Sequence, residues 1–152
     1  MSNSVTQVIV DVPGPITVVQ LLEQGPAGPQ GPVGPSGGAS FPVVLSAVVS
    51  GGQAVALSGG LGQPAIADTV QDASLFVGIS LQGGIAGGTI AVCGNGLVSE
   101  TGWDWTPGEA IFLDGTGALT QTMPGTGVIF QVAEAVANNT IFVRPDVPIQ
   151  IV

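Results

Sequence analysis

The chain has 152 residues, a net charge of −9, a single basic side chain (Arg144), and no His, Lys or Tyr. Without an imidazole or amine base it cannot build a Ser-His-Asp or Cys-His nucleophile system, and without Lys it cannot build a Walker-type phosphate loop. Cys93 alone makes neither a zinc site nor an internal disulfide, and one Arg cannot neutralise a nucleic-acid backbone or hold an anionic membrane surface.

Residues 1–24 lack the basic n-region of a signal peptide, and Asp11 and Pro13 interrupt their apolar stretch. SVTQVIVDV, the breaker Pro13-Gly14-Pro15, and ITVVQLLEQ predict two short strands around a turn. Two strands are not independently stable. This β-rich arm is therefore expected to attach the protein to a partner chain, its own trimer or a larger assembly.

The composition then changes to GPAGPQGPVGPSG over residues 25–37. Gly25, Gly28, Gly31, Gly34 and Gly37 keep a period of three, and Pro follows the first four. Gly at every third position is what the crowded axis of a collagen triple helix demands, and Pro pre-sets the polyproline II dihedral. A stiff linker in a monomer, or a PxxP ligand for an aromatic groove, are the bland readings. The PxxP reading lacks the flanking basic residue such grooves favour. The strict period predicts a collagen-like stalk over 25–38, roughly 40 Å long at ~3.1 Å per residue, and hence a homotrimer.

Residues 39–152 read as an all-β domain. Turn signals recur at Gly51-Gly52, Gly59-Gly60, Gln63-Pro64, Gly83-Gly84, Gly94-Asn95-Gly96, Pro107-Gly108, Asp114-Gly115, Pro124-Gly125 and Asn138-Asn139. Between them lie β-biased runs such as FPVVLSAVV, SLFVGISL, GTIAVCG, EAIFLD, GVIFQVAEAV and TIFVRP. This spacing predicts an antiparallel β-sandwich or barrel. Asn138-Asn139 is expected to close a two-residue hairpin, since Asn tolerates positive φ. No helical stripe is apparent. The uncharged stretch 73–99 reads as strands divided by Gly turns rather than a membrane span.

Few side chains remain for chemistry. Glu100 and Asp104 beside Trp103 and Trp105 form the one carboxylate-aromatic cluster, and a carboxylate pair is what glycoside hydrolysis requires. In an extended strand Trp103 and Trp105 share a face, suited either to stacking on a sugar ring or to filling a core or a trimer interface. The composition points to core packing, with the acids as solvated turn residues. No catalytic, cofactor or metal residues are assigned, and no D-x-D-x-D-G calcium loop is present. Cys93 reads as a buried small hydrophobe, and Arg144 as half of an ion pair with no partner legible in the sequence. Asn138-Asn139-Thr140 fits the glycosylation pattern, which is frequent by chance.

The order of these parts resembles tailed-bacteriophage virion fibres: a β-prone arm, a GPxGPxGPxGP run, and a Gly-rich β domain. The stretch WDWTPGEAIFLDGTGALTQTMPGTGVIFQVAEAVANNTIFVRPDVPIQIV is similar to a module found in phage fibre and capsid decoration (cement) proteins. The resemblance covers about 100 residues of the β domain plus the collagen-like run. It implies a non-enzymatic, trimeric structural protein on the outer capsid surface, whose partner is the major capsid protein of the same virion. A decoration or head-fibre protein is favoured because no second receptor-binding domain follows the β module. The alternative is a short tail fibre or adhesin, bound to a tail protein and reading host-surface glycans through Trp103 and Trp105. Neither reading involves direct nucleic-acid or membrane contact.

Overall fold

Short Val-, Ile- and Ala-rich runs broken by glycine turns favour strands that pair locally. The computed structural model describes residues 7–9, 18–20 and 38–152. The stalk glycines Gly25, Gly28, Gly31, Gly34 and Gly37 lie outside the described residues. The chain divides into two units, Met1–Gly34 and Pro35–Val152. In the first, β1 (Gln7–Ile9) and β2 (Val18–Gln20) pair antiparallel, with Val8 opposite Val19.

The second unit is antiparallel and almost wholly β. One five-stranded sheet holds β3 (Ser40–Val44), β4 (Ala54–Ser58), β5 (Leu61–Pro64), then, after the one-turn helix α1 (Val70–Ser74), β6 (Phe76–Ser80) and β7 (Thr89–Cys93). Its strand order is β3-β7-β6-β4-β5. The other holds β8 (Gly96–Ser99), β9 (Ala110–Leu113), β10 (Leu119–Thr120), and, beyond β11 (Val128–Ile129), β12 (Gln131–Ala137) and β13 (Thr140–Val143). Its order is β10-β9-β12-β13-β8, and a terminal β14 (Ile149–Gln150) pairs with β11.

The main core takes Ala54, Ala56, Ile79 and Cys93 from the first sheet, and Val98, Ile111, Leu113, Ala133, Ile141 and Val143 from the second. Both five-stranded sheets contribute to this core, and the two edge strands of the first, β3 and β5, come together just past Val44, where Leu45 bridges Gly62. The opposite face of the first sheet carries a second cluster, with Val43, Val55, Ile90 and Val92 joined by Leu45 and Val49. The FPVVLSAVV run, which reads as one strand, therefore breaks after Val44. Its second half folds over the sheet, anchored by Leu45 N–H to Gly88 O (2.8 Å), Ser46 N–H to Gly62 O (2.8 Å), and Val49 N–H to Gly84 O (3.0 Å).

Other expectations need correction. Gln63-Pro64 is not a turn but the end of β5, an edge strand, where a missing N–H is tolerated. The helix α1 has no stripe to announce it. Its start is fixed by Thr69, whose Oγ1 accepts from the Asp72 N–H at 3.1 Å and donates to Asp72 Oδ2 at 2.6 Å, a variant of the capping box. Asn138-Asn139 does close the β12–β13 hairpin, with Ala137 opposite Thr140. Neither Asn has positive φ. A register shift between Ala135 and Ala137 supplies the local twist instead. Among the described residues, no helix is long and apolar enough to cross a membrane.

Two glycine positions carry different constraints. Gly59 (φ 58°) and Gly60 (φ 83°) form the two-residue β4–β5 turn, with open space where their Cβ atoms would stand. At Gly78, inside β6, a Cβ would lie 2.3 Å from the carbonyl oxygen of Cys93. Gly59→Ala is thus expected to cost about 1–2 kcal/mol of left-handed strain, and Gly78→Ala about 3 kcal/mol because backbone must move. Denaturant midpoints at constant slope test that ranking; equal losses would contradict it.

Candidate functional site

Trp103 and Trp105 lie on the loop between β8 and β9, not in the extended strand that their alternation suggests. The loop follows the tip of the β12–β13 hairpin because its N–H groups find carbonyls there. Glu100 N–H donates to Asn139 O at 3.0 Å, Trp105 N–H to Asn138 O at 2.7 Å, and Gly108 N–H to Ala135 O at 2.7 Å. Gln121 ties the loop to the strand beside it, accepting from Thr106 N–H (3.0 Å) and donating to Thr106 O (2.9 Å). The indoles still come together, with centroids 5.8 Å apart and planes tilted by 55°. Both are half-buried and packed against the main core. The Trp105 Nε1–H is shielded from solvent and meets no acceptor among the described residues.

One side of the pair is open. With Ser50, Gly51, Gly52, Gln53, Gly117, Ala118 and Leu119, the indoles line a groove of about 320 Å³. The Gly51-Gly52 turn fits because it carries no side chains. A Cβ on Gly52 would stand 2.8 Å from Trp103 Cζ2 and 2.7 Å from Glu100 Cγ.

Ser80 holds that turn in place and was not singled out by the sequence. It is fully buried. Its Oγ donates to Ser50 O at 2.5 Å and accepts from Gln53 N–H at 2.9 Å, while its backbone exchanges bonds with Gly52 and Gln53. A Ser closing the apolar run FVGIS is the signal that points to such a knot, since a buried hydroxyl needs partners.

Asp114 shapes the opposite wall. Burial pushes its carboxyl up, but bonds from Thr116 Oγ1 (2.7 Å), Ala118 N–H (2.9 Å) and Thr116 N–H (2.8 Å) outweigh that and hold it below the ordinary Asp value. The turn it closes leads into Gly117 (φ 90°) on the groove.

The remaining candidates are dispersed. Glu100 is half-buried against Gly51 and Gly52, whereas Asp104 is exposed and does not line the groove. Neither carboxylate lines the groove beside the indoles. Among the described residues, no three His, Cys, Asp or Glu side chains gather as a metal site. Cys93 is buried between the sheets, and burial pushes its thiol up against a smaller lowering by the Asn95 backbone. Arg144 is exposed, its N–H donating to Val132 O at 3.0 Å. In the Asn138-Asn139-Thr140 turn, Asn139 Oδ1 accepts from Thr140 Oγ1 at 3.1 Å. The groove thus offers aromatic faces, a hydroxyl and an amide: groups that stack and hydrogen-bond. No protein-family model matches the chain, and no curated protein sequence matches it significantly.

Ser80→Ala is expected to lower stability by about 1–3 kcal/mol, because the Gln53 N–H loses its buried acceptor, and to shift Trp emission by loosening the turn. Unfolding followed by fluorescence checks both. For Asp114, a carboxyl depressed in the folded state stabilises above the ordinary Asp pKa of about 3.9 and loses this as pH falls through the lower folded value. Between pH 6 and 3, urea midpoints of Asp114→Asn should therefore fall less steeply than those of the unaltered chain. Parallel slopes would remove Asp114 from the linkage.

Proposed function

We propose that the protein is a non-enzymatic structural component of a tailed-bacteriophage virion, a homotrimeric capsid decoration or head-fibre protein that binds and stabilises the outer shell. The observation that carries this reading is the strict Gly period from Gly25 to Gly37 placed directly before an antiparallel β domain. A period of three makes sense where three chains meet at one axis. Residues 1–24 are the attachment arm, since two short strands need a partner surface, and residues 39–152 form the outward domain. Binding to the assembled lattice, but not to free subunits, stabilises the shell by mass action. Three linked arms raise the effective concentration, so weak single contacts give firm attachment.

A second reading, a short tail fibre or adhesin recognising host glycans, draws support from the groove beside Trp103 and Trp105. Aromatic faces bordered by Ser50 and Gln53 suit a sugar ring. Their packing against the core makes them as much structural as recognitive.

Two measurements test the proposal. In solution the full chain should sediment as a trimer, and Gly31→Val should lower the melting of the stalk and its protease resistance. A stable monomer at micromolar concentration would remove the triple helix. Virions lacking the protein should assemble but release DNA earlier on heating or osmotic shock. Virions that stay heat-resistant yet fail to adsorb to host cells would favour the adhesin instead.

A further inference from the structure

The charges of this chain are sharply segregated. Residues 24–67 and 73–99 contain no Asp, Glu, Lys or Arg. All five strands of the first sheet fall inside these two stretches. A chain of net charge −9 thus presents one sheet with no charge on it. Like charges brought face to face oppose association, and the centres of protein interfaces are depleted of charged residues.

The register locates the open part of that sheet. Ser40, Cys93, Ile79 and Ala54 lie abreast on one face, and the last three are buried in the main core. Two residues along, the same face continues with Pro42 opposite Ala91, and with Leu81, whose N–H donates to Ala91 O at 2.9 Å. Next to them Val44 pairs with Thr89. Here the cover ends: Val44 is 44% and Leu81 41% exposed, Pro42 is exposed, and Ala91 is half-buried. A groove of about 330 Å³ adjoins part of this strip, lined by Ser40, Pro42, Gln82 and Ala91 among others.

Chain length says what covers this strip. From Gly37 to Ser40 is three residues, a reach of at most about 10 Å. Three chains joined through Gly37 must therefore begin their β3 strands side by side. We infer that the strip of Pro42, Val44, Leu81 and Ala91 is the self-association surface of the β domain, where it meets two further copies of this chain. This rests on the trimeric reading above. It adds which face turns inward.

Leu81 and Leu97 form a matched pair for the test. Each is 41% exposed, but Leu97 lies on the outer face of the second sheet, beside Phe142. In the full-length chain, Leu81→Glu should raise the concentration for half-dissociation of the trimer at least tenfold and lower its melting point. Leu97→Glu should stay within twofold of the unaltered chain. Val44→Glu, checked for native circular dichroism, repeats the test should Leu81→Glu not fold. Equal behaviour of the Leu81 and Leu97 variants, or a stronger effect at Leu97, would overturn the inference while leaving the trimer intact. A Leu81→Glu protein that melts early but remains fully trimeric would tie the strip to the stability of the β domain alone and also overturn it. An unaltered chain that is monomeric would overturn the trimeric reading itself, and this surface with it.

Discussion

The core that the two sheets share depends on small side chains. Ala54 and Ala56 on one side face a layer that includes Ala133 and Ala135 on the other, with Ala65, Ala67 and Ala73 filling the margin. Larger residues such as Ile79, Ile111, Leu113 and Ile141 fit between them. Interiors are packed to crystal-like density, so a layer of alanines leaves little room for repacking. Gly78 follows the same rule, with strand backbone where a side chain would stand. With one Arg in the whole chain, ion pairs contribute almost nothing to this architecture. Hydrogen bonds of turns and backbone, and apolar contact, hold it.

The same economy governs the groove beside the indoles. Its walls are a Gly-Gly turn, an Asp-anchored turn and a loop suspended from hairpin carbonyls, each rigid for a local reason. Ser80 supports the Gly-Gly turn, because its hydroxyl and backbone bond to Ser50, Gly52 and Gln53. That turn is thus fixed from strand β6, although most of the groove's lining residues sit on loops. Rigid support beneath variable loops is the usual arrangement for recognition surfaces.

Sequence reasoning reached the fold class because β-branched runs and glycine turns act locally. Gly59-Gly60, Pro107-Gly108 and Asn138-Asn139 all fall at turns, and EAIFLD and TIFVRP hold strands β9 and β13. It failed where a tertiary partner decides. Leu45 and Val49 belong to an apolar run but leave the strand because the outer face of the first sheet needs covering. Trp103 and Trp105 were expected on a strand, whereas carbonyls of a hairpin distant in sequence hold them in a loop. The pairing of the two rings was legible from their spacing; the glycine floor beneath them was not. Ser80 escaped notice because burial of one hydroxyl leaves no periodic signature. The segregation of charge, in contrast, was visible in the sequence, but its meaning required the strand order.

Pro42 has a consequence for how the protein assembles. Leu45 N–H bonds to Gly88 O, and Gly94 N–H to Ala39 O. In an antiparallel ladder these alternate, so the odd residues of β3 face β7 and the even ones face away. The imide nitrogen of Pro42 therefore lies on the border of β3 turned away from β7 and offers no proton there, while just past the strand Ser46 N–H on that same border is taken by Gly62 O of β5. An incoming extended segment would meet a gap in the middle of its ladder. Contact on that side must come from side chains, which fit one geometry, rather than from backbone zippering, which accepts any number of strands. Such a border disfavours runaway fibre growth by edge pairing, a useful safeguard for a sheet that carries no charge to keep copies apart.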